Sequence, residues 1–293
     1  MRVLISGCGY VGGALGERLA QDGYEVFGLR RNPDALPPDV RPVAADFTDA
    51  GSLERALPEA LDYVFHTASP GVSGASSAAE REEAYRDAYL RGPSNVISAL
   101  RRRGQSLRRV LLTSSTGVYA QKNGEWVDET SPTEPAGPGR FMLEGEEILL
   151  GSSFPAVVLR LAGIYGPGRT GALERARRYP LSGAEDPPVY TNRIHRDDCA
   201  GALRHLMLLD RPDPLYIGAD HEPATPETIA AWLAKNYPGM REEEPERAPG
   251  GRGRANSTNK RCGNARLVCS GYTLQYPTFR EGFASLLGSQ LEN

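Results

Sequence analysis

Short apolar runs alternate with longer amphipathic stretches through the first half of the chain, the spacing of strands followed by helices. Val3-Leu4-Ile5 reads as a buried strand, and Val11, Leu15 and Leu19 then fall on one face of a helix. A second strand runs from about Glu25 to Leu29, and a short third one lies near Val43 after the proline-rich residues 33–42. Ser52 is placed to cap a helix carrying Leu53, Ala56 and Leu57. Tyr63-Val64-Phe65 predicts another buried strand, and a long helix is expected to follow as far as about Arg103. Residues 109–115 and 156–161 complete the strand pattern. This alternation predicts βαβ units and a doubly wound parallel sheet of the Rossmann type.

Past Gly163 the texture changes to short elements separated by Gly and Pro, with helices expected at 196–209 and 225–235 and a strand at 215–217. The predicted organisation is a dinucleotide-binding domain over 1–162, to which 190–218 returns, and a smaller C-terminal substrate lobe formed mainly by 163–293. Residues 238–260 are polar and poor in hydrophobes, which predicts a mobile surface loop.

The first strand and helix are joined by Gly7, Gly9 and Gly12, a G-x-G-x-x-G turn in the context that gives this motif meaning. Gly7 can take the tight turn, Gly9 lets backbone N–H groups approach a pyrophosphate, and Gly12 lets the helix pack against the sheet. Tyr10 and Val11 open that helix, whose N-terminus adds partial positive charge. In NAD-preferring folds a carboxylate about 20 residues on holds the ribose 2′-OH. Here the second strand ends instead in Arg30 and Arg31, two guanidiniums able to clamp a 2′-phosphate. The expected cofactor is NADP(H), with NAD(H) as the alternative. The small-residue stretch 69–79 is expected to pass over the cofactor phosphates.

Composition narrows the class. A net charge of −3 argues against a nucleic-acid surface, and no run approaches the ~18 apolar residues that span a bilayer. The N-terminal apolar stretch is too short for a signal segment, so the expected location is the cytoplasm. Cys8, Cys199, Cys262 and Cys269 form no C-x-x-C pair and read as free thiols; Cys262 and Cys269 could share a helix face, but no metal site is expected. The chain has only three lysines, Lys122, Lys235 and Lys260, so its basic charge is almost all arginine. Nothing in the sequence decides between a monomer and a homodimer.

The segment 110–119, ending Thr113-Ser114-Ser115-Thr116-Gly117-Val118-Tyr119, resembles the S-S-x-x-V-Y-G element of extended short-chain dehydrogenases/reductases, the epimerase/dehydratase branch. Residues 160–168 resemble that branch's R-x-x-N-x-Y-G-P-G, and Ile194-His195-Arg196-Asp197-Asp198 its I-H-V-D-D. By this resemblance Asp46, followed by Phe47, contacts the adenine side; Thr67, Ala68 and Ser114 border the cofactor; and Ser115 bonds the substrate oxygen. The family's Y-x-x-x-K pair is missing. In residues 135–147 the tyrosine position falls on Pro138 or Gly139 and the lysine position on Met142 or Leu143. The whole pattern resembles an atypical bacterial subgroup of NAD(P)-dependent epimerase/dehydratase-like proteins.

Tyr119, Tyr165 and His195 are the remaining candidates for proton transfer, each with an ordinary alternative as core aromatic or structural cap. Arg140, Arg169 and Arg193 could hold an anionic small-molecule substrate, while Glu144, Glu146 and Glu147 are expected to face solvent or to cap arginines on their helix. Two functions compete: an NADP(H)-dependent oxidoreductase or epimerase acting on a carbonyl or hydroxyl, and a non-catalytic NADP(H) sensor on the same fold. The substrate itself is not legible.

Overall fold

The computed structural model describes residues 1–71, 77–135, 137–181, 188–240 and 258–291. Its strands are β1 (Arg2–Ser6), β2 (Glu25–Arg30), β3 (Arg41–Ala44), β4 (Tyr63–His66), β5 (Arg109–Ser115), β6 (Glu125–Val127), β7 (Ala156–Leu161), β8 (Gly163–Tyr165), β9 (Arg193–His195), β10 (Leu215–Gly218) and β11 (Lys260–Cys262). Seven of them form one sheet in the order β10-β7-β5-β4-β1-β2-β3. The pairs β1–β2, β2–β3, β1–β4 and β4–β5 are parallel, with Leu4 opposite both Phe27 and Val64. Both faces of such a sheet are covered, so its central strands read as continuous apolar runs: Val3, Leu4 and Ile5 are all fully buried. The strand order reverses between β1 and β4, and ligands of open α/β sheets bind outside the carboxyl ends of the strands at that switch point.

By compactness the chain divides into two units. The first comprises Met1–Val118, Pro135–Arg160 and Cys199–Tyr216, and the second Tyr119–Glu134, Leu161–Asp198 and Ile217–Asn293. The first has a core built on Leu4, Leu29, Val64, Val96, Val110 and Val158. In the second, Leu173 and Leu233 pack with Phe279, Phe283 and Leu287. It also contains two small parallel ladders, β6 with β11 and β8 with β9, the latter placing Tyr165 opposite His195.

Four local expectations are corrected. The helix Ala50–Ala56 is capped by Asp49, whose carboxylate accepts the N–H groups of Gly51 and Ser52, while Ser52 Oγ turns back to accept from Asp46 N–H. The expected long helix to Arg103 is two helices, Ala78–Arg86 and Gly92–Arg102, joined through a π turn over Asp87–Arg91. Ala78–Arg86 buries no side chain, so there is no apolar stripe ahead of the π turn against which the extra residue could be read from periodicity. Cys262 lies in β11 and Cys269 ends the short helix Ala265–Cys269, so they share no helix face. Glu146 is buried against Arg160 of β7, off its own helix. The expected loops at 69–79 and 238–260 fall partly on 72–76 and 241–257, outside the described residues.

Candidate active site

The turn after β1 is built as a pyrophosphate cradle requires. Gly7 has φ +77°, and a Cβ there would come within 2.5 Å of the Ala68 backbone. A Cβ on Gly12 would meet Thr67 Oγ1 at 2.5 Å and Ile5 at 2.9 Å, so the helix Tyr10–Gln21 packs directly on the ends of β1 and β4. At Gly9 a Cβ would meet only Gly7 O, at 3.7 Å, so the protein itself leaves that side open. The helix has no acidic residue in its first turn and no side-chain cap on Gly9. Its N-terminal dipole is therefore available to an anion. Thr67 Oγ1 donates to Gly7 O at 3.0 Å, and the N–H groups of Gly7 and Cys8 donate to Leu29 O. These bonds tie the cradle to the strand that ends in Arg30. The cradle fits a dinucleotide pyrophosphate.

Arg30 acts electrostatically on Cys8, whose thiol burial pushes up to about 12, so the Arg30 charge reaches the glycine turn. Arg31 is exposed, and its charge is felt at Asp87 on the π turn. Asp46 sits just past β3 with Oδ1 occupied by the N–H and hydroxyl of Thr48, at 2.9 and 2.8 Å. Phe47 is held by its backbone to Asn95 Nδ2 and meets His66 edge to face at 5.4 Å. Sequence reasoning gave His66 no role. It ends β4 fully interior, with Nδ1 3.2 Å from Ser6 Oγ and Nε2 2.9 Å from Ala88 O on the π turn. Burial lowers its pKa to about 4.

Ser114 and Ser115 end β5. Ser115 Oγ accepts the Gly117 N–H at 3.0 Å, which leaves its own proton to donate, whereas buried Ser114 Oγ has no partner among the described residues. Facing this turn within the same unit is the start of the helix Gly139–Leu150: a Cβ on Gly139 would lie 3.9 Å from Gly117 O. Pro138 is the N-cap of that helix, and Met142 is buried in it. No phenol or ammonium is carried at those positions. Two turns on, Glu146 receives Arg160 of β7 through Nε at 3.1 and 3.2 Å and Nη2 at 2.7 Å, with both side chains interior. The glutamate is a buried fork partner, not a surface group. Arg140, by contrast, is exposed, pairs with Glu82 at 2.5 Å and lies over the Phe141 ring.

Tyr119, Tyr165 and His195 all belong to the second unit, and all are interior. Tyr119 O accepts from Lys260 Nζ at 2.7 Å. That lysine is itself buried with Thr258 Oγ1 as its other partner, and burial lowers its pKa. The structure brings Tyr165 and His195 together edge to face at 5.3 Å, and Tyr165 also meets Phe283 at 5.1 Å. The phenol oxygen has no partner among the described residues, and desolvation raises its pKa. Asp197 N–H donates to His195 Nδ1 at 3.2 Å, so the neutral ring carries its proton on Nε2. Desolvation lowers the His195 pKa, and its ring rests on Tyr276 at 3.9 Å. The neighbouring Asp198 is an acceptor hub for Tyr272 Oη and the N–H groups of Gln275 and Tyr276.

The second unit also contains a partly open cavity of about 450 Å³ lined by Arg169, Arg175 and Arg193 together with Tyr179, Asn192 and apolar side chains. Among the described residues its lining contains no carboxylate. Arg175 escaped sequence reading because it sits on a helix, Gly171–Arg178, whose last turn holds three arginines and gives no periodic cue. Among the described residues no group of His, Cys, Asp and Glu could hold a metal, and no helix is long and apolar enough to cross a membrane.

A doubly wound sheet with a glycine cradle at its switch point defines the class, that of NAD(P)-binding oxidoreductases and epimerases. The chain belongs to the NAD dependent epimerase/dehydratase family, whose sequence model matches residues 3–182. This bears out the resemblance to the extended short-chain dehydrogenases/reductases. It is similar to a solved structure from Methylobacillus flagellatus assigned to the NAD-dependent epimerases/dehydratases, 33% identical, with 99% of this chain and 98% of that one covered and a TM-score of 0.76. Protein YeeZ of Escherichia coli is 29% identical over 222 residues, 73% of this chain and 76% of its own length. The Thermus thermophilus UDP-glucose 4-epimerase, solved in complex with NAD, is 22% identical with 96% coverage on both sides and a TM-score of 0.75, a likeness of fold.

Proposed function

We propose that this chain is an NADP(H)-preferring oxidoreductase or epimerase acting on a carbonyl or hydroxyl of an anionic small molecule. The observation that carries the cofactor preference is the end of β2, where Arg30 and Arg31 stand and no carboxylate is present to bond a ribose 2′-OH. Gly7, Gly9 and Gly12, with the helix opened by Tyr10 and Val11, would hold the pyrophosphate. Asp46 and Phe47 would border the adenine, and Thr67, Ala68 and Ser114 the rest of the cofactor. Bound there, the nicotinamide supplies or accepts the hydride. Ser115 hydrogen-bonds the substrate oxygen with the proton its Oγ has left over, and proton transfer falls to one of the interior groups Tyr119, Tyr165 or His195. The anionic group of the substrate is read from Arg169 and Arg193, joined by Arg175 in the cavity lining; Arg140, committed to Glu82, is the weaker member of that set.

The test is a pair of titrations. NADPH should bind roughly 10- to 100-fold more tightly than NADH, the equivalent of charge-assisted bonds of about 1.5–3 kcal/mol, and the gap should shrink with salt. Replacing Arg30 and Arg31 together by Ala should erase the difference. Equal affinities in the unaltered protein would sink the proposal. A second reading, a non-catalytic NADP(H) sensor, is favoured by one observation: the positions where the family carries its Tyr/Lys pair fall on Pro138 or Gly139 and on Met142 or Leu143, none of them a phenol or an amine. It predicts tight NADPH binding with no oxidation of the bound cofactor by any carbonyl compound.

A further inference from the structure

The cavity of the second unit has an unmatched cation on its wall and an unmatched acid behind it. Arg193 is 5% exposed; its Nη2 donates to Thr191 Oγ1, whose own proton goes to Ala224 O, and its Nη1 has no partner among the described residues. Asp220 is 2% exposed. Its N–H donates to Arg193 O at 2.7 Å and its Oδ1 accepts from Glu222 N–H at 3.1 Å, but its Oδ2 is unmatched among the described residues. Interior polar atoms in native proteins are nearly always satisfied, and interior charges are paired. Desolvation lowers the Arg193 pKa; the charge of Asp220 opposes this most, and the like charge of Arg175 on the same cavity lining adds to the lowering. The wall therefore favours an incoming anion.

We propose that the arginine-lined cavity is an anion site whose occupancy is coupled to proton uptake at Asp220. The inference rests on the anionic-substrate reading above and adds the proton to it. An anion settling beside Arg193 repels a carboxylate at Asp220 and has no quarrel with a carboxylic acid, which can donate where the carboxylate only accepts. Binding and protonation then reinforce each other, as linkage requires. Burial already holds the Asp220 acid at about 7, so the group changes state in the ordinary working range of pH. The charges acting on it come from every side: Arg193 on β9, the Tyr165 phenol on β8, Glu222 in its own turn, which is itself paired with Arg280, and Glu281 on the helix Phe279–Leu291.

Sulfate is the probe, because its charge does not change across the range. Calorimetry on the full chain should show sulfate binding strengthened about fivefold between roughly pH 8 and pH 6, with heats that vary with the buffer as a proton is taken up. Asp220→Asn should bind at the low-pH level throughout, without buffer dependence; His195 and His221 are common to both proteins, so the contrast isolates Asp220. Arg175→Ala, at an exposed position, should weaken sulfate and so locate it in the cavity. If Asp220→Asn does not fold, the proton count in the parent decides alone. Sulfate bound with no proton taken up overturns the coupling and leaves the anionic-substrate reading standing; no sulfate binding overturns both. Neither result touches the NADPH titration.

Discussion

Gly9 and Gly12 look alike in the motif and do different work. A side chain at Gly9 meets little of the protein, while one at Gly12 runs into Thr67 and Ile5. Gly9→Val should therefore keep its thermal midpoint and lose NADPH, because the branch takes the volume the pyrophosphate needs. Gly12→Ala should instead cost about 1–3 kcal/mol of stability through overpacking, visible in a urea melt. A Gly9→Val protein that binds NADPH normally would place the cofactor elsewhere. The motif was legible in the sequence because it places glycine where the chain turns at positive φ, at Gly7, and where backbone, helix and pyrophosphate must come close, at Gly9 and Gly12. Asp220, His66 and Lys260 were not. Their roles come from partners far along the chain, Ser6 for His66 and Tyr119 for Lys260, and no local pattern marks such a meeting.

At the scale of elements, β4 and the π turn are joined through the imidazole of His66. Burial drops its pKa from 6.5 to about 4, so an unfolded chain binds the proton over a window in which the fold refuses it. Its contribution to stability is complete above the upper value and falls as pH drops through the window, by about 1.4 kcal/mol per pH unit. Denaturant melts from neutral to mildly acidic pH should be steeper for the parent than for His66→Gln; identical slopes would show that His66 is not the buried neutral ring described. Most strands and helices could be placed from apolar spacing alone, as β1, β2, β4 and β5 were. The π turn could not, since the helix before it, Ala78–Arg86, buries no side chain and so carries no apolar stripe whose change of phase could be seen. Asp49 and Ser52 illustrate the same limit, because both residue types cap helices and only geometry chooses between them.

For the whole molecule, the family and the sheet were written in motifs that occur in the right order, but the reaction was not. The family's Tyr/Lys pair is absent from the start of the helix Gly139–Leu150, and the groups that could replace it are packed inside the second unit. A missing proton donor typically lowers a rate 10²- to 10⁴-fold, so turnover with simple carbonyl compounds and NADPH should be slow. Ser115→Ala should reduce it further with little change in cofactor affinity, as read by steady-state rates and titration together. Fast turnover that survives Ser115→Ala would remove the serine from the mechanism. The lysine that fixes the carbonyl of Tyr119 is 141 residues downstream. Synthesis therefore delivers the serine motif first and its brace later, after every strand of the large sheet has been made. On the ribosome this corner stays unfinished while the sheet can already form, and a chain halted before Thr258 would carry a Rossmann sheet with the end of its serine turn unfastened.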